Sequence, residues 1–250
     1  MLIAYSLALA TETEGTVGDM TYEGGLSETA AGYVATKPVT VSHSGGNVSV
    51  RCMDTEKLSA RLPYTVYGTA EAPMEAFGKG IGLSVGGDSK SGWVKTRVPS
   101  KTSGVTGADV PLTVNIPKGT TGLTVTQSGS GWVQVTGCSG ALKISSGTGG
   151  VYADGAYTSA AVSAAGGDAK LVQDSGVVLT GTTTVSAPGG TARVTLASAQ
   201  GGKLTAKANE VSVQQTVMGT NSGTLVQGDM GLAGPSITVS AKERVEVSSQ

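Results

Sequence analysis

From Val110 onward the chain is a run of strand-sized segments that recur about every nine to twelve residues: LTVTQ, WVQV, ALKISS, VYA, AAVSA, AKLVQ, VVLT, TTVSA, ARVTLA, KLTAKA, EVSVQQT, TLVQ, SITVS and RVEVSS. Apolar and polar residues alternate within most of them, the period of a half-buried strand. Small-residue turns separate many, among them Ser130-Gly131, Gly149-Gly150, Gly166-Gly167, Gly189-Gly190, Gly201-Gly202 and Ser222-Gly223. Two segments with their turns make a period of about 20 residues, the size of one two-sided coil of a β-solenoid. The expected fold class is all-β: a β-solenoid of stacked short strands, about 20 residues per coil, behind an irregular N-terminal part. A single coil cannot bury its own inner face, so Val, Leu, Ile and Ala are expected inward and Thr, Ser, Gln and Lys outward.

Composition agrees with thin stacked layers. The 250 residues include 39 glycines, while aromatics make up 4% and charged residues 14%, too few large side chains for a thick core. A net charge of -1 removes the electrostatic attraction that dominates nucleic-acid binding, so no nucleic-acid partner is expected. No run approaches the ~18 apolar residues that span a bilayer, so no transmembrane segment is expected.

Three regions are read in chain order. Residues 1–36 form an N-terminal strand and an acidic leader. In residues 1–10 the greasy positions Ile3, Tyr5, Leu7 and Leu9 alternate with Ala4, Ser6, Ala8 and Ala10, giving a candidate assembly strand. Ala8-Leu9-Ala10 also fits the small-x-small pattern of a signal-peptidase site, so a remnant of an export signal is the other reading. The charges that follow, Glu12, Glu14, Asp19, Glu23 and Glu28, are all acidic and read as a solvated face, on a loose leader or a pair of edge strands. Residues 37–110 hold the opening strands, Pro38 to His43 and Val48 to Cys52 around a Ser44-Gly45-Gly46-Asn47 turn. An irregular stretch then contains Tyr64, Tyr67, Met74, Phe77 and Trp93, expected to cap the first rung. Gly80-Ile81-Gly82-Leu83-Ser84-Val85-Gly86-Gly87 has the spacing GxGxxxG, not the dinucleotide fingerprint, and reads as strands with a glycine turn. Residues 111–250 are the regular stack, and 37–250 are expected to form one continuous domain.

The stretch around residues 115–151 carries a resemblance. Asn115-Ile116-Pro117-Lys118-Gly119-Thr120, Leu123-Thr124-Val125, Gly129-Ser130-Gly131-Trp132-Val133-Gln134-Val135, Gly137, Gly140-Ala141-Leu142-Lys143-Ile144-Ser145-Ser146 and Gly149-Gly150-Val151 follow a pattern that resembles the bacterial putative-adhesin β-solenoid domain family. Val48-Ser49-Val50 fits its opening strand. The detailed match covers about forty residues, and the motifs are geometric. The resemblance implies an exported domain with no catalytic residues to carry over. Later turns change from Ser-Gly to Gly-Gly, downstream segments are Ala-rich, and residues 1–35 have no counterpart.

Sites of chemistry are sparse. His43 is the only histidine and reads as a structural residue, which leaves a serine hydrolase without a base. Asp154, Asp168, Asp174 and Asp229 are the carboxylates that a polysaccharide-cleaving solenoid would use, yet each stands where Asp ordinarily forms turns. No cofactor and no metal site are expected. Trp132 and Tyr152, about one coil apart, are candidate ligand-facing aromatics; the alternative is that they fill coil interiors or cover a corner. Cys52 and Cys138 are a candidate disulfide, closing a long loop and implying an oxidising compartment, with two buried free thiols as the alternative.

The expected function is a non-enzymatic structural or adhesive protein, exported to the extracellular space or cell surface. Its expected partners are cell-surface polymers or further copies of itself, with end-to-end filaments as the specific version. A carbohydrate-binding or carbohydrate-cleaving solenoid and a viral or phage fibre component are the alternatives.

Overall fold

The computed structural model describes residues 20–250. The candidate strand of Ile3, Tyr5, Leu7 and Leu9 lies outside them. The described residues are all-β, with 20 strands joined in one hydrogen-bonded system and a single α-helix.

The N-terminal strands are β1 (Met20–Thr29), β2 (Val39–His43), β3 (Val48–Met53) and β4 (Ser59–Gly68). Next come α1 (Glu71–Gly80), β5 (Gly82–Gly87), β6 (Gly92–Arg97), β7 (Val105–Asp109), β8 (Leu112–Pro117) and β9 (Gly122–Gln127). β10 (Val133–Ser146) and β11 (Val151–Ala164) are long, and each contains two of the short sequence segments. The C-terminal strands are β12 (Ala169–Gln173), β13 (Thr183–Ala187), β14 (Ala192–Leu196), β15 (Lys203–Lys207), β16 (Glu210–Val213), β17 (Met218–Ser222), β18 (Leu225–Asp229), β19 (Ser236–Ala241) and β20 (Arg244–Ser249).

Two ladders of parallel strands make the body. In the first, β6 pairs with β2, β2 with β9, β9 with the second half of β10, and that with the second half of β11. β13, β19 and β15 continue it. In the second, β8 pairs with β3, β3 with the first half of β10, then the first half of β11, then β12, β14, β20 and β16. Long strands such as β10 and β11 leave one ladder and enter the other, with register breaks at the corner.

Period-two alternation within in-register parallel strands places like positions above one another. The inward row of the first ladder is Val94, Val41, Val125, Ile144, Val162, Val185, Val239 and Ala206. That of the second is Val114, Val50, Val135, Ala153, Leu171, Val194 and Val247. All of these side chains are buried. Each contributes ~1.5–3 kcal/mol if large, and less for alanine.

The turns at one corner are packed backbone to backbone. A Cβ on Gly131 would lie 2.2 Å from the Gly46 oxygen, and one on Gly149 would lie 1.7 Å from the Gly131 oxygen. Gly131 also has φ of 152°, in the region that side chains rarely adopt. The Gly-Gly turns of the sequence therefore set the distance of closest approach between rungs.

Four expectations need correction. First, the irregular region contains α1. Glu71, Ala72, Met74, Glu75 and Ala76 are strong helix formers, Pro73 sits in the first turn where it is tolerated, and Glu75 pairs with Lys79 at 2.6 Å. The buried residues Met74, Phe77 and Gly78 fall at i, i+3 and i+4, a helical period. Second, the strand-like segment Val177 to Thr180 is not a strand; Leu179 is buried and takes its bonds from the buried Gln200 side chain. Third, Met218–Ser222, which lacks alternation, is strand β17 because β18 pairs with it across a tight turn. Fourth, not all of the buried face is apolar: His43, Gln127, Ser146, Gln173 and Gln200 are buried and hydrogen-bonded.

Stacking order also departs from chain order. β2 and β3 lie between β6 and β8 on one side and β9 and β10 on the other. β19 and β20 are inserted between β13 and β14 on one side and β15 and β16 on the other. Antiparallel strands flank both ends: β4 on β8, β1 and β7 on β4, and β5 on β6 at one end, with β18 on β15 and β17 on β18 at the other. The second half of the acidic segment is thus strand β1, and Glu28 turns its Oε2 onto the Val85 N–H of β5 at 2.9 Å.

A candidate ligand-binding face on the second ladder

Outward positions of the second ladder also align. Ser49, Gln134, Tyr152, Lys170, Arg193, Glu246 and Ser212 form one continuous row. Adjacent rungs bring neighbours in such a row to within ~5 Å. The charged part of the row is organised around Arg193. Its Nε donates to Glu246 Oε2 at 3.0 Å, and one terminal nitrogen reaches Asp168 Oδ2 at 3.4 Å. Arg244 on β20 contacts Glu246 Oε1 at 3.2 Å and also pairs with Glu210. The Arg244 partner holds the Glu210 carboxyl below its usual range.

A concavity of about 410 Å³ opens beside this row. Lys170, Arg193 and Glu246 line one side, and Thr195, Ser248 and Gln214 stand along the next outward row. The Thr195 and Ser248 hydroxyls are 3.2 Å apart. Charge, hydroxyl and amide groups therefore meet on one surface, with both donors and acceptors available.

Tyr152 belongs to this row; Trp132 does not. Tyr152 is half-buried and faces outward, opposite Gln134 and Lys170, with the Lys170 ammonium 5.2 Å from its ring centre. Its hydroxyl donates to Asp154 Oδ2 at 3.4 Å. Burial, followed by the Asp154 charge, raises the phenol pKa. Trp132 is 44% exposed at the turn before β10, where its backbone N–H donates to Asn47 Oδ1.

The four aspartates do not converge. Asp168 precedes β12 and Asp174 follows it, at opposite corners. Asp174 has a raised pKa, from burial first and the Asp154 charge second. Asp168 accepts the Thr191 N–H at 2.8 Å, and Asp229 lies in the C-terminal hairpin opposite Lys203. Among the described residues no group of three or more His, Cys, Asp or Glu side chains is placed to hold a metal ion. No described helix is long and apolar enough to cross a membrane.

His43 is buried on β2. Val110 O can only accept, so Nε2 carries the hydrogen of the 2.9 Å bond between them, and Nδ1 accepts from Thr96 Oγ1 at 2.8 Å. Burial pushes its pKa down to about 4, although the carbonyl bond acts in the opposite direction. A neutral, doubly bonded imidazole of this kind is structural. Cys52 and Cys138 are joined as a disulfide between β3 and β10, neighbouring strands of the second ladder.

Sequence reasoning reached Tyr152 but not Lys170, Arg193 or Glu246. Their separations in the chain are unequal, and Glu246 comes from the inserted last pair of strands. Only the strand register brings them together.

No protein-family model matches the chain, and no curated protein is similar to it in sequence at a significant level. It is similar in structure to a putative cell adhesion protein from Clostridium sporogenes, at 11% identity and a TM-score of 0.45, over 90% of this chain and 100% of that one. It is also similar to a putative adhesin from Bacteroides fragilis, at 13% identity and a TM-score of 0.43, over 90% of this chain and 97% of the other. A putative lipid binding protein from Parabacteroides distasonis is similar at 10% identity and a TM-score of 0.33, over 89% and 96%.

Proposed function

We propose that this chain is a non-enzymatic structural or adhesive protein, exported and built as a β-solenoid whose outer faces hold cell-surface polymers or further copies of itself. One observation carries the reading: outward side chains of many successive rungs fall into continuous rows, so the surface repeats at the strand spacing. A repeating, fixed surface suits a repeating ligand. The disulfide between β3 and β10 supports export, because such bonds persist in oxidising compartments.

Retention of the purified full chain by isolated bacterial envelopes tests the adhesive reading. Saturable retention is expected, and passage through the envelope column without delay overturns it. Electron microscopy addresses assembly. Filaments that lengthen with concentration support end-to-end association; monomers at every concentration and salt overturn it. At one end β4 and β5 cover the parallel edges of both ladders, which weighs against stacking there; at the other end β18 covers β15, while β16 keeps an edge open to a further strand among the described residues.

A further inference from the structure

Resting on the adhesive reading, we infer that the concavity on the second ladder is a saccharide site, and that its ligand is a polysaccharide bearing carboxylates. The row from Tyr152 through Lys170, Arg193 and Glu246 to Ser212 crosses successive rungs and is ~20 Å long at the parallel-strand spacing. That length fits several units of a polymer better than one small molecule.

Sugar hydroxyls are donors and acceptors at once, and they are best met by side chains that offer both at fixed positions. Here Glu246 accepts, Arg193 donates, and Thr195, Ser248 and Gln214 do either. The ion pairs that Arg193 makes with Asp168 and Glu246 hold its guanidinium plane in place before any ligand arrives, so less conformational freedom is lost on binding. Its remaining N–H groups stay available.

Charge selects the carboxylated class. Arg193 is shared between Glu246 and Asp168, whereas Lys170 makes no ion pair among the described residues and rests over the Tyr152 ring, which leaves it as the cation free to meet a ligand carboxylate. An ammonium at the mouth of a hydroxyl-lined groove is complementary to a uronate carboxylate. The Tyr152 ring beside it gives the sugar an apolar surface. A polyphosphate is the poorer fit, since it has no hydroxyls to exchange hydrogen bonds with Thr195, Ser248 and Gln214, and its denser charge would face Glu246 in the same groove.

The test is calorimetric titration of the full chain with polygalacturonate, dextran and inorganic polyphosphate. Binding to polygalacturonate is expected, weakened at least tenfold in K170A, largely restored in K170R, and reduced in the Thr195→Val, Ser248→Ala double variant. Circular dichroism of each variant verifies the fold. Equal binding of dextran overturns the carboxylate assignment, and tighter binding of polyphosphate overturns the saccharide class. Polygalacturonate binding that is unaltered in K170A and in the double variant overturns the location. Envelope retention without polygalacturonate binding overturns this site and leaves the adhesive reading standing; loss of both overturns the two together.

Discussion

Acidification should destabilise this protein through one residue, His43. In the fold the imidazole is held neutral, with a pKa of about 4, against ~6.5 in an unfolded chain. The unfolded state therefore takes up a proton between these values that the folded state refuses. The stabilising contribution is complete above pH 6.5 and is lost as the pH falls toward 4. Linkage over that interval gives a ceiling of about 3 kcal/mol, of which about 2 kcal/mol is lost between pH 7 and pH 5. For a chain of this size 2 kcal/mol corresponds to a fall in Tm of ~4–8 °C. Other groups titrate as well, so the informative quantity is the difference between the native protein and His43→Gln, which keeps an amide donor and acceptor but no titrating group. Calorimetric Tm values of both at pH 7 and pH 5 are the assay. His43→Gln should lose stability at pH 7, from imperfect replacement of the bonds to Val110 and Thr96, and the gap should narrow by ~2 kcal/mol at pH 5. A gap that stays constant refutes the reasoning, because the buried imidazole would then not govern the acid response.

Reduction of the Cys52–Cys138 bond, which closes a loop with a sequence separation of 86, should cost about 4–5 kcal/mol by loop entropy, visible as a lower Tm with reductant present. Gly149→Ala would force a Cβ to 1.7 Å from the Gly131 oxygen; a loss of ~1–3 kcal/mol or more is expected, while Gly223→Ala, with nothing within 4 Å, should leave the urea midpoint within error. Gln173 is fully buried and satisfies both the N–H and the carbonyl of Tyr157. Gln173→Ala should therefore cost ~1–3 kcal/mol, with faster amide exchange at Tyr157 as the local signature.

Alternation in segments such as LTVTQ, ARVTLA and RVEVSS was enough, by itself, to determine strands, which side of each is buried, and hence the inward valine rows. The reason is that a period of two is a property of one strand and needs no partner. The glycine corners were equally legible, since Gly-Gly between strands marks turns. The helix at Glu71–Gly80 also carried a local signal in its helix-forming residues and in the spacing of Met74, Phe77 and Gly78. The buried polar residues were not legible: Gln173 and Gln200 are inward because the backbone at Tyr157, at the corner within β11, and at Leu179, in a loop, needs partners there, a fact of the neighbouring rung. Stacking order was decided by the tertiary structure alone. Parallel ladders accept any two strands of matching alternation, and local pattern does not rank one neighbour over another. The insertion of β19 and β20 beside β13 and β14 follows from how the whole stack buries its faces. That same choice sets Glu246 against Arg193, so the candidate site exists only in the assembled fold.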